Sequence, residues 1–351
     1  MTNEKINLYS LKQADLEDLF VSWKQPKFRA QQLYEWIFNN RVKSFDEMTN
    51  LPKAIREKLA EETTLGILEV VTEQQSHDGT VKRLYRLPDG QFVEAVLMAY
   101  DDNRRTACIS TQAGCAMGCV FCATGQMGFA RHLTASEIFE QAMHFAQDLQ
   151  ADDERLSNVV LMGMGEPFHN YDHSLETIRR LMQDLGIGAR HITVSTVGMV
   201  PQIRRFADEG LQVKLAISLH SATDAERDAL IPVNKRWDLA ELMDACNYYI
   251  MKSGRRITFE WALINGETDT EDQAHALGQL LKGMNCHVNA IPLNPTKGFT
   301  GGPSVKDRTE EFKQILSKYG VEMTVRVRRG IDIAAGCGQL KSEVIGTDEI
   351  K

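Results

Sequence analysis

From Thr106 onward the chain alternates strand-like and helix-like segments, and this limits its possible folds more than any other feature. The apolar, partly β-branched runs are "TACIST", "NVVLMGM", "HITVST", "VKLAISLH", "ITFEWALI", "HVNAIPLN" and "EMTVRVR". Between them lie helix-like stretches near 134–150, 174–185, 200–209, 238–252, 270–284 and 304–319. The first opens on "TASE", a capping box between Thr134 and Glu137. Six or seven strand-then-helix units predict an α/β fold with a parallel sheet, open or closed into a barrel. In such barrels the loops after the strands build the site.

The first 105 residues read differently. "LKQADLEDLFVSWKQPKFRAQQLYEWIFNN" has apolar residues at helical spacing, and "NLP" opens a further helix, "KAIREKLAEE". Residues 66–105 change to a period of two, with Asp78-Gly79 and Asp89-Gly90 as turns. The expected organisation is a helical unit over 1–65, a β-rich connector over 66–105 and the strand–helix unit over 106–345. Composition is that of a soluble globular protein, with 43% hydrophobic and 25% charged residues. No run reaches the roughly 20 apolar residues of a membrane span. The N-terminal stretch has no apolar secretory core, which predicts a cytoplasmic protein with reduced thiols. A formal net charge of −8 counts against nucleic-acid binding, so any RNA partner must rest on local patches.

Four of the seven cysteines fall in "CISTQAGCAMGCVFC": Cys108, Cys115, Cys119 and Cys122. The last three form C-x-x-x-C-x-x-C in the loop after the first strand-like run. A closed zinc site needs four ligands, but the loop offers three, with Cys108 on the preceding strand and His132 the nearest histidine. Three thiolates suit a 4Fe-4S cluster that keeps one iron open. "GMGEP", Gly163 to Pro167, follows the second strand-like run. Glycines there let backbone approach a ligand, and Glu166 offers an acceptor for an ammonium group.

C-x-x-x-C-x-x-C in the first strand-to-helix loop resembles the radical S-adenosylmethionine (SAM) superfamily. "CISTQAGCAMGCVFCATGQMGF", "LMGMGEPFHN", "STVGMVP", "LAISLHSATDAERDALIPVNKR", "CHVNAIPLNP" and "IDIAAGCGQL" together resemble the RlmN/Cfr family of adenosine methyltransferases. "FRAQQLYEWIF" and "SFDEMTNLPKAIREKL" are similar to the accessory domain of the RlmN branch. The resemblance implies a partial (βα)6 radical SAM barrel with a small N-terminal helical accessory domain and a short β-rich connector. It implies one 4Fe-4S cluster on Cys115, Cys119 and Cys122, and a SAM site at Gly165, Glu166, Ser195, Ser218, Leu219, His220 and Asn294. Two SAM molecules are used per turnover.

In the family, a cysteine matching Cys337 takes a methyl group from the first SAM. Radical chemistry with the second SAM joins that carbon to adenine. A cysteine matching Cys108 then releases the product, leaving a Cys108–Cys337 disulfide for a thiol reductant. Glu94 aligns with the proposed proton acceptor. Cys246 and Cys286 match no motif and read as packing residues. The implied substrates are 23S rRNA, at carbon 2 of one adenosine, and, in some members, tRNA. The implied electron donor is of flavodoxin or ferredoxin type, and the protein is expected to be a monomer.

The rival readings are Cfr-like methylation of carbon 8, a radical SAM activase acting on a protein, and a zinc-stabilised RNA-binding protein. Lys24, Lys27, Arg29, Arg326, Arg328 and Arg329 are candidate RNA contacts. Two details depart from the commoner wording: Phe168-His169, where small aliphatics are usual, and Gly336, where alanine is common.

Overall fold

The computed structural model describes residues 5–340. The chain begins with three helices, α1 (Gln13–Ser22), α2 (Phe28–Tyr34) and α3 (Lys53–Glu62). The helical periodicity of 12–40 is not one helix. Pro26 disfavours helical backbone in the residue before it, and Lys24 turns the chain with a φ of 57°. Beyond α2 one wider helical turn covers Glu35–Asn39.

These helices are docked onto the rest of the chain. Their buried residues, including Leu16, Phe20, Leu33, Phe38 and Leu59, join one hydrophobic core with those of the later helices. At the join the buried Arg180 bonds Asp184 at 2.7 Å and donates to the Tyr9 carbonyl. Its guanidinium lies over the rings of Phe139, at 4.5 Å, and Phe38, at 5.5 Å. Tyr34 adds a 2.8 Å hydrogen bond to Asp184. A buried charge is tolerated when it is paired and hydrogen-bonded in this way.

The ten strands of the main sheet are β1 (Glu69–Gln75), β2 (Val81–Arg86), β3 (Phe92–Ala99), β4 (Arg105–Cys108), β5 (Asn158–Leu161), β6 (Ile192–Thr196), β7 (Lys214–Ser218), β8 (Ile257–Leu263), β9 (Cys286–Pro292) and β10 (Met323–Val325). They pair in strict sequence order. β1 to β4 are antiparallel to one another and β4 to β10 are parallel. The residues between 66 and 105 therefore extend the barrel sheet itself.

The six longest helices between the parallel strands are α4 (Ala135–Ala151), α5 (Tyr171–Gln183), α6 (Val200–Asp208), α7 (Leu239–Ser253), α8 (Glu271–Leu281) and α9 (Lys306–Lys318). Parallel strands joined in order by same-handed crossovers place their helices on one face. The opposite face is left to curve around a site. The capping box at α4 is present: Thr134 N donates to Glu137 Oε2 at 2.8 Å and Glu137 N donates to Thr134 Oγ1 at 3.3 Å. Asp238 caps α7 in the same manner, and the Thr270 side chain accepts from Gln273 N at the start of α8. The fold is thus six strand–helix units ending in a seventh, three-residue parallel strand.

β1 and β10 do not pair, so the sheet is an open barrel. The segment after β10 crosses the gap between these edges. Asp332 accepts from Ser76 Oγ at 2.5 Å and His77 N at 3.3 Å, and Gly330 N donates to Asp78 Oδ2 at 3.0 Å. Ser76, His77 and Asp78 form the β1–β2 turn. The far end of the crossing segment is held to the cysteine loop, with Ala123 N donating to Gly338 O at 2.8 Å and Thr124 Oγ1 to Leu340 O at 2.6 Å.

Candidate active site

The cysteine loop leaves β4 through a small antiparallel ribbon, Gln112–Gly114 with Phe129–His132. Cys115 N donates to Gly128 O, Val120 N to Leu230 O and Cys122 N to Cys119 O, which pins the loop at three points. Cys115, Cys119 and Cys122 line one cavity at the C-terminal ends of the parallel strands. Burial pushes the Cys115 thiol up to about 12 and raises that of Cys119 well above its ordinary value, helped by the charge of Cys122. Iron ligation must therefore displace their protons.

Among the described residues, no group of three or more His, Cys, Asp or Glu side chains is arranged to hold a single metal ion. A 4Fe-4S cube binds each cysteine through a different iron, so its thiolates need not converge on one point. The chemistry of the donor set fits the cluster: three soft sulfurs from one short loop line one cavity.

The same cavity is lined by Gly165, Glu166, Ser195, Ser218, His220 and Asn294. Leu219 does not line it; it is fully buried, with its N donating to Glu260 O at 3.1 Å. Gly165 has a φ of +99°, and a Cβ there would stand 2.5 Å from that of Gln112, so only glycine fits this turn. Glu166 is buried, with Oε1 accepting from Phe168 N and Oε2 from Val197 N, both at 2.9 Å. Burial outweighs these hydrogen bonds and pushes its carboxyl up to about 7.

His220 accepts at Nδ1 from Ala262 N at 2.8 Å and meets Phe121 edge to face at 4.9 Å. Burial, and then the nearby Arg227, hold its pKa down to about 3, so the ring is neutral with its proton on Nε2. Ser195 and Ser218 hydroxyls lie 3.4 Å apart. Asn294 Nδ2 donates to Cys337 O at 3.1 Å, while its buried Oδ1 has no hydrogen-bond partner. An orphan acceptor on the cavity wall suits a ligand that brings N–H or O–H donors, as SAM does.

Cys108 and Cys337 reach this cavity from separate elements, the end of β4 and the crossing segment. Cys337 is solvent-exposed yet densely surrounded by protein. Burial, helped by the field of Cys337, pushes the Cys108 thiol up to about 12. At Gly336, the second departure from the family wording, a Cβ would fall 2.6 Å from Asn294 Nδ2 and 2.7 Å from Gln339 Oε1, so an alanine there would require those side-chain ends to shift.

Arg326 lies against the two thiols. It was an RNA-contact candidate, but its side chain lines the cavity with Glu260. Burial works against its charge, and the neighbouring Cys337, Glu260, Tyr100 and Cys108 outweigh it, raising its pKa. Burial raises the pKa of Glu260, which accepts from Asn289 Nδ2 at 2.7 Å.

Glu94 is placed off the cavity wall. It is buried on β3, on the same face as Val96 and Met98, which do line the cavity. Its carboxylate pairs with the buried Lys82 at 3.3 Å. Cys246 is fully buried on α7 and Cys286 half-buried at the start of β9, both away from the cavity. Lys27 pairs with Glu17, Arg29 with Gln32 and Asn50 O, and Arg329 stacks on Tyr100 at 4.6 Å; Arg328 is exposed.

Arg227 has the largest structural role that sequence reasoning missed. Fully buried, it donates to Leu219 O at 3.1 Å, Asn234 Oδ1 at 2.6 Å, Val197 O at 2.6 Å and Ser218 O at 3.2 Å. It ties together the ends of β6 and β7, which carry Ser195, Ser218 and His220. Burial lowers its pKa to about 10. Arg227→Leu removes the donors of four buried acceptors and is expected to cost about 3–5 kcal/mol. Thermal unfolding checks this; Arg227→Lys should recover part of the loss. An unchanged midpoint in Arg227→Leu would remove the strut.

A family model described as the ribosomal RNA large subunit methyltransferase N-terminal domain matches residues 6–65, and the radical SAM superfamily model matches residues 109–277. A third, for a Syntaxin-5 N-terminal, Sly1p-binding domain, matches only residues 300–318, which here include α9. The chain is 54% identical over 341 residues to "dual-specificity RNA methyltransferase RlmN 1" of Myxococcus xanthus, covering 96% of this chain and 95% of the relative. It is 44% identical to a "probable dual-specificity RNA methyltransferase RlmN" of Geobacillus kaustophilus, over 96% of this chain and 93% of that one. A solved radical SAM methyltransferase from Sphaerobacter thermophilus superposes with a TM-score of 0.93 at 46% identity, covering 96% of this chain and all of that one. With its N-terminal helices, open barrel and cysteine-lined cavity, the chain belongs to the RlmN family of radical SAM RNA methyltransferases.

Proposed function

We propose that the protein methylates carbon 2 of an adenosine in 23S rRNA and of an adenosine in tRNA, with Cys337 carrying the methyl group and Cys108 releasing the product. The observation that carries this reading is the meeting of Cys108, Cys337 and the three loop cysteines in one cavity. An activase needs the cluster cysteines but not the further pair. Full-length relatives named as dual-specificity RNA methyltransferases favour the RlmN branch over carbon 8 chemistry. The helical unit over 1–65, the strands over 66–105 and the barrel over 106–345 are read as RNA-binding, connecting and catalytic parts; residues 341–345 lie outside the described ones.

Cys115, Cys119 and Cys122 would hold one 4Fe-4S cluster, and Gly165, Glu166, Ser195, Ser218, His220, Asn294 and the backbone at Leu219 would hold SAM. Bound there, the two supply the methyl group and the one-electron chemistry that an unreactive aromatic carbon requires, with two SAM consumed per turnover. The Glu166 carboxylate and the orphan Asn294 Oδ1 accept from the ligand's donors. Burial raises the pKa of the Cys337 thiol, and Arg326 works against that rise, toward the thiolate, the nucleophilic form. When the Cys108 thiolate attacks the Cys337 sulfur, an S–S bond forms and the bond from that sulfur to the RNA-bound carbon breaks, its electron pair staying with that carbon, which takes up a proton to become the methyl group. The resulting disulfide is returned to two thiols by a thiol reductant.

Glu94 is the proton acceptor in this reading, which requires the Lys82 ammonium to release it. A flavodoxin- or ferredoxin-type donor and a cytoplasmic, monomeric state complete the reading. No described helix is long and apolar enough to cross a membrane.

Mapping adenosine methylation in rRNA and tRNA from a strain lacking the gene tests the proposal. Loss of 2-methyladenosine supports it, and loss of 8-methyladenosine instead would assign the chain to the rival branch. The Glu166 carboxyl gives a pH test. Because its pKa is raised to about 7, the neutral acid persists in the fold below that pH, and an ammonium ligand binds only the ionised form. SAM affinity should rise with pH, approaching about tenfold per unit below the pKa and levelling above it. Equilibrium dialysis with the reconstituted protein measures this. Glu166→Gln should abolish the slope, and a slope that persists in that variant would place the titrating group elsewhere.

A further inference from the structure

Gln112 lies fully buried in the ribbon at the foot of the cysteine loop. Its Oε1 accepts from Glu166 N at 2.8 Å. Its Nε2 lies 3.0 Å from Nδ1 of His132 and 3.0 Å from Nδ1 of His169. A main-chain N–H can only donate, so the amide oxygen must face Glu166 and the NH2 must face the two imidazoles. Both rings therefore accept at Nδ1 and carry their proton on Nε2. The rings pack edge to face at 4.8 Å, and Phe129 packs against them at 5.1 and 5.5 Å.

The Glu166 turn is tied to this group twice more. Gly165 touches the Gln112 stem, and His169 N donates to Glu166 O at 3.1 Å. The other titratable neighbours are known. His173 faces His132, and Arg131 donates to the His132 carbonyl while pairing with Asp89 and Glu137. The Glu166 carboxylate points to Phe168 N and Val197 N instead. Burial, then His169 and His173, lower the pKa of His132, in keeping with a neutral ring. His169 also belongs to one of the two departures from the family wording.

We propose that His132 and His169 are positioning residues for the Glu166 turn: as neutral Nε2–H tautomers they fix the Gln112 amide, which fixes the Glu166 main chain beside the SAM site. The proposal rests on the reading of Glu166 as a SAM contact. A proton at either Nδ1 would face the amide NH2 with a second donor. Turning the amide over would set NH2 against the Glu166 N–H. Either arrangement strands a buried donor next to the turn.

Long-range 1H–15N NMR of the labelled full-length protein reads the tautomers directly. At pH 7.5 both rings should be neutral Nε2–H forms, assigned by their disappearance in His132→Asn and His169→Asn. Steady-state kinetics of the reconstituted enzyme read the consequence. The His132→Leu/His169→Leu protein should show a SAM KM raised roughly tenfold with kcat little changed, as expected for a stranded buried donor. The double Asn variant, whose amide oxygens can still accept from Gln112, should restore most of the KM. An Nδ1–H tautomer or an imidazolium at either ring, or a parental SAM KM in a folded double Leu variant, would overturn the proposal. If Glu166→Gln binds SAM as the parent does while the tautomers are as stated, the SAM reading of Glu166 falls instead, and with it the proposed consequence.

Discussion

Protein carrying Cys108→Ala should accumulate covalently joined to RNA, and protein carrying Cys337→Ala should not. In the proposed roles, the Cys108 variant retains every step up to carbon–carbon bond formation with adenine. It lacks only the thiol that attacks the Cys337 sulfur. The adduct should survive denaturant because it is held by a carbon–sulfur bond, whereas phosphate contacts are lost at high salt. On a denaturing gel it appears as a shifted band that collapses with ribonuclease. Cys337→Ala has no methyl carrier, so it can form no adduct. Both thiols line the same cavity on separate elements, so either substitution should leave the fold intact. If Cys337→Ala gives the adduct and Cys108→Ala does not, the roles are reversed. If neither does and both still methylate, the two-thiol mechanism is wrong for this chain.

Cys119→Ala is expected to reduce iron and sulfide content to background and abolish SAM cleavage. Cys119 is the most buried of the three loop cysteines and stands between Cys115 and Cys122 in the loop, and its loss leaves that loop two thiolates for the cluster. Iron analysis after anaerobic reconstitution, with the visible absorption of the cluster, provides the measurement. Cys246→Ala and Cys286→Ala should keep full iron content, since neither residue lines the cavity. A buried cysteine to alanine costs about 1 kcal/mol, too little to unfold the protein. Full iron in Cys119→Ala would remove the ligand assignment.

Much of this protein was legible in sequence because local rules and global fold agree. Period-two and helical patterns located six connecting helices to within a few residues, since each buries one face against the sheet. Thr134 and Glu137 marked the start of α4 through a capping box that needs no tertiary partner. The spacing of Cys115, Cys119 and Cys122 is itself local and places all three sulfurs on one short loop. The Pro26 break was also in the sequence, but the apolar periodicity running across it concealed it.

Other features needed the tertiary structure because they join residues far apart in the chain. That residues 66–105 extend the barrel sheet depends on β3 pairing with β4 rather than on any pattern within β3. The crossing segment from β10 to the β1–β2 turn, which carries Cys337 into the cavity, is set by Asp332 and Gly330 meeting Ser76, His77 and Asp78. Arg227 and Arg326 are plain charged residues in the sequence, and only folding surrounds one with carbonyls and the other with thiols and a carboxylate. The same holds for Gln112, His132 and His169, whose hydrogen bonds exist only once the ribbon and the Glu166 turn are in contact. Sequence determined the elements and the reactive groups, because spacing and hydrophobic period act over a few residues. The tertiary structure decided which groups share a cavity and in what protonation state, because burial and long-range pairing are properties of the packed chain.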